Sequence, residues 1–400
     1  MKRIHLPDQR PQNGPRPVNG SHTANGALRA RRRLAPRPAA PRPVAIVAGG
    51  AGFLGSHLCT RLIDDGYRVH AVDDFHTGLA DNLDHLADHP DFVLMDHDIR
   101  RPLPRISGVT EVYNLACPAS PPHYQDQPIR TATTSVVGTL NLLELAHDLG
   151  ARFLMTSTSE IYGDPEVHPQ PESYRGCVNT IGPRACYDEG KRMAESLCYD
   201  FVRQYQTDVR VARVFNTYGP RMRLDDGRIV SNFVAQALTG RKLTIYGTGR
   251  QTRSFCYVDD LIEGLVRLMR VTPRPEGPVN IGNPEEYSII DMAHLIGRLT
   301  GREISLTHDP LPADDPRRRR PDITLARRLL GWQPTVPLRK GLAATIAWFA
   351  GQIDTAGVMP SSASPVPPSP ATASPGAASP DRGAAAGSVA LGLAAPERRA

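Results

Sequence analysis

The sequence predicts an α/β fold, a doubly wound parallel sheet with a smaller C-terminal α/β domain. Short apolar runs alternate with amphipathic stretches from residue 44 onward. The first run ends in glycines that open directly into a helical pattern. Beyond Asn216 the alternation gives way to loops, short helices and proline-rich turns. Regular strand–helix alternation argues a parallel sheet covered on both faces, because each crossover must return over the sheet.

Each element has its own signal. "VAIVAGG" (44–50) is apolar and bounded by glycine, so it reads as a strand buried on both faces. "GFLGSHLCTRLIDDGY" (52–67) has helical spacing, and "YRVHAVDD" (67–74) is a second strand. "DFVLMDHDI" (91–99) and "EVYNLA" (111–116) are a third and a fourth. "TTSVVGTLNLLELAHDLGA" (133–151) is a long amphipathic helix leading to a fifth strand, "RFLMTSTS" (152–159). "CYDEGKRMAESLCYDFVRQY" (186–205) is a helix with the apolar stripe Ala194, Leu197, Cys198, Phe201 and Tyr205, and "DVRVARVFN" (208–216) is a sixth strand.

Composition sets the domain limits. Residues 1–43, rich in Pro and Arg, and residues 353–400, rich in Ala, Pro and Ser, lack the apolar content to offset chain entropy and are expected to be disordered. Residues 44–216 then form the cofactor-binding domain. Residues 217–352 form mainly the substrate domain, partly interleaved with the first. The net charge is +6 overall, +9 in the first 43 residues and zero after Gln352, leaving −3 between. A core of that charge gives no case for nucleic-acid binding. No run approaches a membrane span and no apolar signal core begins the chain. The six cysteines show no metal-type pairing, so no metal site is expected, and they read as reduced thiols in a cytoplasmic protein. Against 43 Arg the chain has four Lys: Lys2, Lys191, Lys242 and Lys340.

"AGGAGFLGSH" spaces Gly49, Gly52 and Gly55 as G-x-x-G-x-x-G. Such glycines permit a tight turn, let backbone approach a pyrophosphate and seat the phosphates on a helix N-terminus. Asp73 closes the second strand, where a carboxylate accepts hydrogen bonds from ribose hydroxyls and repels the extra phosphate of NADP. NAD is the expected cofactor of a Rossmann-type domain. Tyr187 and Lys191 lie four apart on one helical face. A nearby ammonium favours the phenolate and is expected to lower the tyrosine pKa. The pair would then take a proton from a sugar hydroxyl while NAD takes the hydride.

Together these motifs resemble the extended short-chain dehydrogenase/reductase family, over roughly residues 44–350. The family's members are NAD-dependent nucleotide-sugar enzymes. The resemblance assigns Thr158, four residues before Tyr162–Gly163, to bonding the oxygen being oxidised. It also places Phe53, Leu54, Asp74, Thr77, Gly78, Asp98, Ile99, Leu115, Ala116, Thr134 and Thr217 around NAD. Ala48 stands where the wider family has a common Thr.

The dehydratases of that family carry Asp then Glu after the hydroxyl residue; this chain has Ser159 then Glu160. "ACPASPPHYQ", "STSEIYGDPEVHPQ", "GPRACYDEGKR", "RVFNTYGPRM", "GRIVSNF", "YGTGRQTRSFCYVDD" and "NIGNPEEYSI" resemble its branch that decarboxylates UDP-glucuronate. That resemblance implies oxidation at C4 and loss of CO2 from the β-keto acid. Glu160 would lie by the reacting carboxylate, orienting water, handling a proton or disfavouring the charged substrate. Arg319 would meet that carboxylate or protonate C5. Asn216 and Arg253 would hold the diphosphate, with Arg228 or Arg221 nearby. Ser231, Asn232 and Tyr246 would line the nucleotide, and Pro118 and Gln251 complete the substrate contacts. A homodimer through two helices of the first domain is expected, with Leu140–Leu145 and Leu197–Phe201 compatible. A sugar 4-epimerase, a 4,6-dehydratase and a non-catalytic NAD-binding scaffold are the alternatives; retained Glu160, absent Asp and the intact Thr158, Tyr187 and Lys191 argue against them in turn.

Overall fold

The computed structural model describes residues 42–356 apart from Ala313 and Arg317. The expected N-terminal arm up to Pro41 and the tail beyond Ala356 lie outside the described residues. The chain order is β1 (Val44–Ala48), α1 (Phe53–Asp64), β2 (Arg68–Asp73), β3 (Phe92–Asp96), β4 (Val109–Asn114), α2 (Pro121–Asp126), α3 (Pro128–Thr133), α4 (Thr139–Leu149), β5 (Arg152–Thr158), α5 (Ala185–Tyr205) and β6 (Val209–Val214). It continues through β7 (Thr217–Tyr218), α6 (Ile229–Leu238), β8 (Leu243–Tyr246), β9 (Thr252–Ser254), β10 (Cys256–Tyr257), α7 (Val258–Arg270), β11 (Val279–Ile281), β12 (Glu286–Ser288), α8 (Ile289–Thr300), β13 (Leu306–Asp309), α9 (Thr324–Leu330) and α10 (Leu338–Ala356).

Seven strands form one parallel sheet in the order β11-β6-β5-β4-β1-β2-β3. All five residues of β1 are buried, as a strand covered on both faces requires. The chain winds outward from β1 to β3, then returns to lay β4 on the other side of β1. That reversal opens a crevice at the carboxyl ends of β1 and β4, where doubly wound folds bind ligands.

Two departures from the sequence pattern bear on the site. The helix expected over 133–151 begins earlier, at Pro128, and passes through a π-turn at Thr134–Gly138 before α4. An added Cβ at Gly138 would stand 2.4 Å from Ile99 Cδ1, so glycine lets the helix press against that side chain. The seventh strand, β11, comes from the C-terminal half and pairs with β6 through Ala212–Val214. Tyr205, expected in the apolar stripe of α5, is exposed because the helix ends there and Gln206 turns left-handed.

The smaller C-terminal region packs α6, α8 and α10 around Phe233, Val234, Met292, Ile296, Leu342 and Phe349. The short pairs β8–β13 and β9–β12 border it. Asp260 on α7 ties the two regions: its carboxylate accepts from the Thr335 and Val336 backbone N–H, and its carbonyl from Trp332 Nε1. Among the described residues no helix is long and apolar enough to cross a membrane.

Candidate active site

The glycine turn is built as a cradle. Gly49 has φ of +77°, and a Cβ there would fall 2.8 Å from Ala116 N. A Cβ on Gly55 would fall 1.9 Å from Gly49 O, so α1 meets the turn with no room for a side chain. Helix α1 has no side-chain cap and no acid in its first turn, which leaves its N–H groups for an anion. Asp73 is buried beside them; Ala51 N and Phe75 N each donate to its carboxylate at 2.9 Å. Burial pushes its carboxyl up to about 6, against the pull of those two N–H donors.

A cleft of about 1060 Å³, counting space open to solvent, runs over this turn. Gly49, Gly52, Phe53, Leu54, Gly55, Asp73, Asp74, Thr77, Gly78, Ile99, Leu115, Ala116 and Thr134 line it, with Pro118, Arg221 and Arg228 at the substrate end. A bare-backbone cradle, an open helix N-terminus and a buried carboxylate one strand away fit a dinucleotide. Asp98, Thr217 and two further residues expected at the cofactor, Tyr187 and Lys191, do not line the cleft. The Asp98 carboxylate is held by Arg100 Nε at 2.9 and 3.0 Å, and the Thr217 hydroxyl donates to Phe215 O.

The hydroxyls at the end of β5 divide by task. Thr156 donates to Asn114 O, and Ser157 donates at 2.5 Å to Glu195, which Arg213 holds; both brace the sheet. Thr158 caps the next turn, accepting from Glu160 N at 3.2 Å, and hydrogen-bonds the Tyr187 phenol. Helix α5 buries Tyr187 and Lys191 together, and Gly190 lets it approach Ser135 of the π-turn. Lys191 Nζ donates to Thr156 O at 2.9 Å. The expected lowering of the Tyr187 pKa is not met in this arrangement. Burial raises it well above the ordinary phenol range, and neighbouring Cys117 adds to the rise. Desolvation of the phenolate outweighs an ammonium already engaged with a strand carbonyl.

Glu160 stands just beyond Thr158, and its surroundings correct one expectation. Arg319 reaches it with both terminal nitrogens, Nη2 to Oε2 at 2.7 Å, and Arg184 Nη2 also donates to Oε2. Burial alone would raise the Glu160 pKa, but Arg319 and Arg184 hold it below the usual value. A carboxylate shared by two guanidinium groups carries little net repulsion, so it does not disfavour an anionic substrate. The network extends outward. Arg184 lies 4.0 Å from Asp188 and 3.6 Å from Asp315, and Arg253 Nη2 donates to Asp315 Oδ2 at 2.9 Å. Arg319 is thus a buried member of this cluster, while neighbouring Arg318 is exposed.

The remaining substrate candidates fall in two groups. At the start of α6, Arg228 pairs with Asp226, while the Ser231 hydroxyl and Asn232 amide donate to Arg228 O and Gly227 O. Arg228 also faces Tyr187 and Glu160 closely enough for their charges to act on it. At the end of β8, Gln251 Nε2 donates to Tyr246 O at 2.6 Å, next to Arg253 on β9. Asn216 links β6 to β7, its carbonyl accepting from Cys256 N. Arg221, with φ of 66°, donates to Thr60 Oγ1. Sequence reading missed Arg184, Asp188 and Asp315. The first two could have been found, because they stand four apart, at i,i+4 spacing, on either side of Tyr187 within "GPRACYDEGKR".

Comparison with known proteins agrees with this geometry. The NAD dependent epimerase/dehydratase family model matches residues 45–282. The chain is 53% identical over 309 residues to UDP-glucuronic acid decarboxylase 1 of Xenopus tropicalis, covering 77% of this chain and 72% of that one. It is 52% identical over 298 residues to UDP-glucuronic acid decarboxylase 5 of Arabidopsis thaliana, covering 74% and 86%. Among solved structures it resembles the UDP-glucuronic acid 4-epimerase of Bacillus cereus in complex with UDP-glucuronic acid and NAD. That match has a TM-score of 0.71 and 28% identity, covering 77% of this chain and 99% of that one. With the glycine cradle, Asp73 and the Thr158–Tyr187–Lys191 group in place, the chain belongs to the NAD dependent epimerase/dehydratase family.

Proposed function

We infer that the chain catalyses NAD-dependent decarboxylation of UDP-glucuronate to UDP-xylose and CO2, with NAD+ restored in each cycle. The observation that carries this reading is the Glu160–Arg319 pair beside Thr158 and Tyr187, in a chain about half identical to two proteins named as UDP-glucuronic acid decarboxylases. Gly49, Gly52, Gly55 and Asp73 would hold the cofactor, which when bound accepts a hydride from the sugar C4 and later gives it back.

The residues of the chain do the rest. Tyr187, bonded to Thr158, takes the C4 hydroxyl proton as its phenolate, a form that burial opposes and that Lys191, Arg228 and the positive charge of bound NAD+ would favour. A ketone at C4 makes the C6 carboxylate part of a β-keto acid. The C5–C6 bond then breaks with its electron pair moving to the C4 oxygen, where the Thr158 and Tyr187 hydroxyls stabilise the charge. The Glu160–Arg319 pair faces C5 and C6, where one proton must be delivered for each CO2 lost. Arg253 and Arg228 serve the diphosphate, arginine being suited to phosphate by its planar fork.

The test is product analysis of the purified chain given UDP-glucuronate and NAD, with UDP-xylose the expected product. A second reading, a 4-epimerase on the same substrate, is favoured by the Bacillus cereus structure and would give UDP-galacturonate instead.

The same reading makes the chain a homodimer in the cytoplasm. Leu142, Leu143 and Leu145 prove to be core residues, so they do not support pairing. Val137 and Met193 do: both are exposed, one on the π-turn and one on α5, which packs against it. Cys59, Cys198 and Cys256, packed in the interior as thiols, support a reducing compartment.

A further inference from the structure

Tyr124 on α2 belongs to the "ACPASPPHYQ" stretch, yet none of the roles above uses it. It is 1% exposed. Its ring lies parallel to that of Tyr187, with centroids 5.0 Å apart and planes 4° from coincidence. The Arg184 guanidinium lies over it, 6.0 Å from the centroid. The backbone is pinned as well: Tyr124 O accepts from Thr131 Oγ1 at 3.1 Å and from Cys186 Sγ at 3.5 Å. Both the position and the plane of the ring are therefore set by α3 and α5.

The hydroxyl is the anomaly. Tyr124 OH is buried and has no hydrogen-bond partner. Arg184, Glu160, Asp188 and Tyr187 are close enough for their charges to act on it, so it sits beside the charged cluster at Glu160. A buried hydroxyl without a partner is costly in a folded protein and calls for a ligand or another explanation. One more donor shares its state: Arg319 Nε is buried and makes no hydrogen bond, whereas Arg184 Nε, also without one, lies 4.0 Å from Asp188 Oδ2. The Tyr124 hydroxyl and Arg319 Nε both lie near Glu160, and together they offer one O–H and one N–H to something that accepts. A carboxylate has about four lone-pair sites on two oxygens and matches such a set. Asp188 Oδ1 is also unbonded, but as an acceptor it would not bind an anion.

We propose that Tyr124 determines specificity for the uronate: its hydroxyl donates a hydrogen bond to the sugar C6 carboxylate, and its ring holds the Tyr187 phenol in plane. This rests on the decarboxylase reading of the same site. Burial keeps the phenol protonated, with Glu160 acting in the same sense and Arg184 opposing, so it is a donor at neutral pH. A site built to bond a polar group discriminates strongly against an analogue that lacks it, because its own donors are left unpaired. UDP-glucose, with CH2OH in place of the carboxylate, offers one neutral acceptor oxygen where the uronate offers two charged ones, and so pairs these donors less well.

The experiment compares wild type with Tyr124→Phe, which keeps the ring and removes the hydroxyl. It measures kcat/KM for UDP-glucuronate and the inhibition constant of UDP-glucose, both with NAD bound. The expected result is a loss of about tenfold or more in kcat/KM, with UDP-glucose inhibition within about twofold of wild type. Tyr124→Leu, which also removes the stack, is expected to lose further kcat. An unchanged kcat/KM, or an equal loss for both nucleotide sugars, overturns the proposal. Loss of NAD binding in Tyr124→Phe also overturns it, since the hydroxyl would then be holding the fold. Failure of the wild type to release CO2 is a separate outcome, and removes the functional reading together with this one.

Discussion

Arg319 grips Glu160 across 159 residues of sequence, both of its terminal nitrogens meeting the carboxylate that follows the last hydroxyls of β5. The pair is buried, and Arg184 shares the same carboxylate. Removing the anion leaves two guanidinium groups without their partner. Glu160→Gln is expected to lower unfolding stability by about 3 kcal/mol or more. It is also expected to slow decarboxylation more than it weakens UDP-sugar binding. Denaturant titration and steady-state kinetics check both; an unchanged rate would leave Glu160 a structural part only.

Tyr187→Phe should abolish turnover, by at least about 100-fold, while leaving the NAD dissociation constant unaltered. The phenyl ring still stacks on Tyr124, so the helix and the cleft keep their form. Near-normal turnover in this variant would contradict the assignment of the base.

The buried Asp73 gives NAD binding a pH dependence. Its folded pKa of about 6 lies above the ordinary 3.8, so the cofactor-free fold holds an extra proton between roughly pH 4 and 6. The stability from that proton is full below the ordinary value and is lost as pH rises through about 6. Cofactor binding runs the opposite way, because the ionised carboxylate is the better acceptor for ribose hydroxyls. NAD affinity is expected to fall several-fold between pH 7.5 and pH 5, and Asp73→Asn should flatten that slope. Fluorescence titration at both pH values measures it.

Gly55→Ala tests the cradle. The new Cβ would fall 1.9 Å from Gly49 O, so backbone must move where the phosphates are expected. NAD binding should be lost and the thermal midpoint should drop, with overpacking costing about 1–3 kcal/mol. Retained NAD affinity would show that the cofactor does not lie on this turn.

Light scattering should find two chains per particle. Val137→Glu combined with Met193→Glu should give single chains, since both side chains are exposed on adjoining helical segments. A wild-type monomer would exclude the expected pairing.

What the sequence made legible was local. The glycine spacing, Asp73 at a strand end, and Tyr187 with Lys191 at i,i+4 each lie within one or two elements, where periodicity and turn chemistry act. The π-turn at Thr134 was not legible, because the packing it makes, such as Gly138 against Ile99, joins segments distant in sequence. Nor was β11, three residues long and paired only through the fold. The charged cluster escaped for the same reason. Glu160, Arg184, Asp315 and Arg319 meet from separate segments, and a lone Arg or Asp carries no mark of its partner. The pKa of Tyr187 was misjudged because spacing shows the nearby cation but not the burial that outweighs it.

The most direct measurement is a reaction of the full chain with UDP-glucuronate and NAD in heavy water, following CO2 release and deuterium in the product. The account predicts one CO2 per turnover and a UDP-pentose carrying a single deuterium at C5. A six-carbon UDP-uronate formed without CO2 would contradict it.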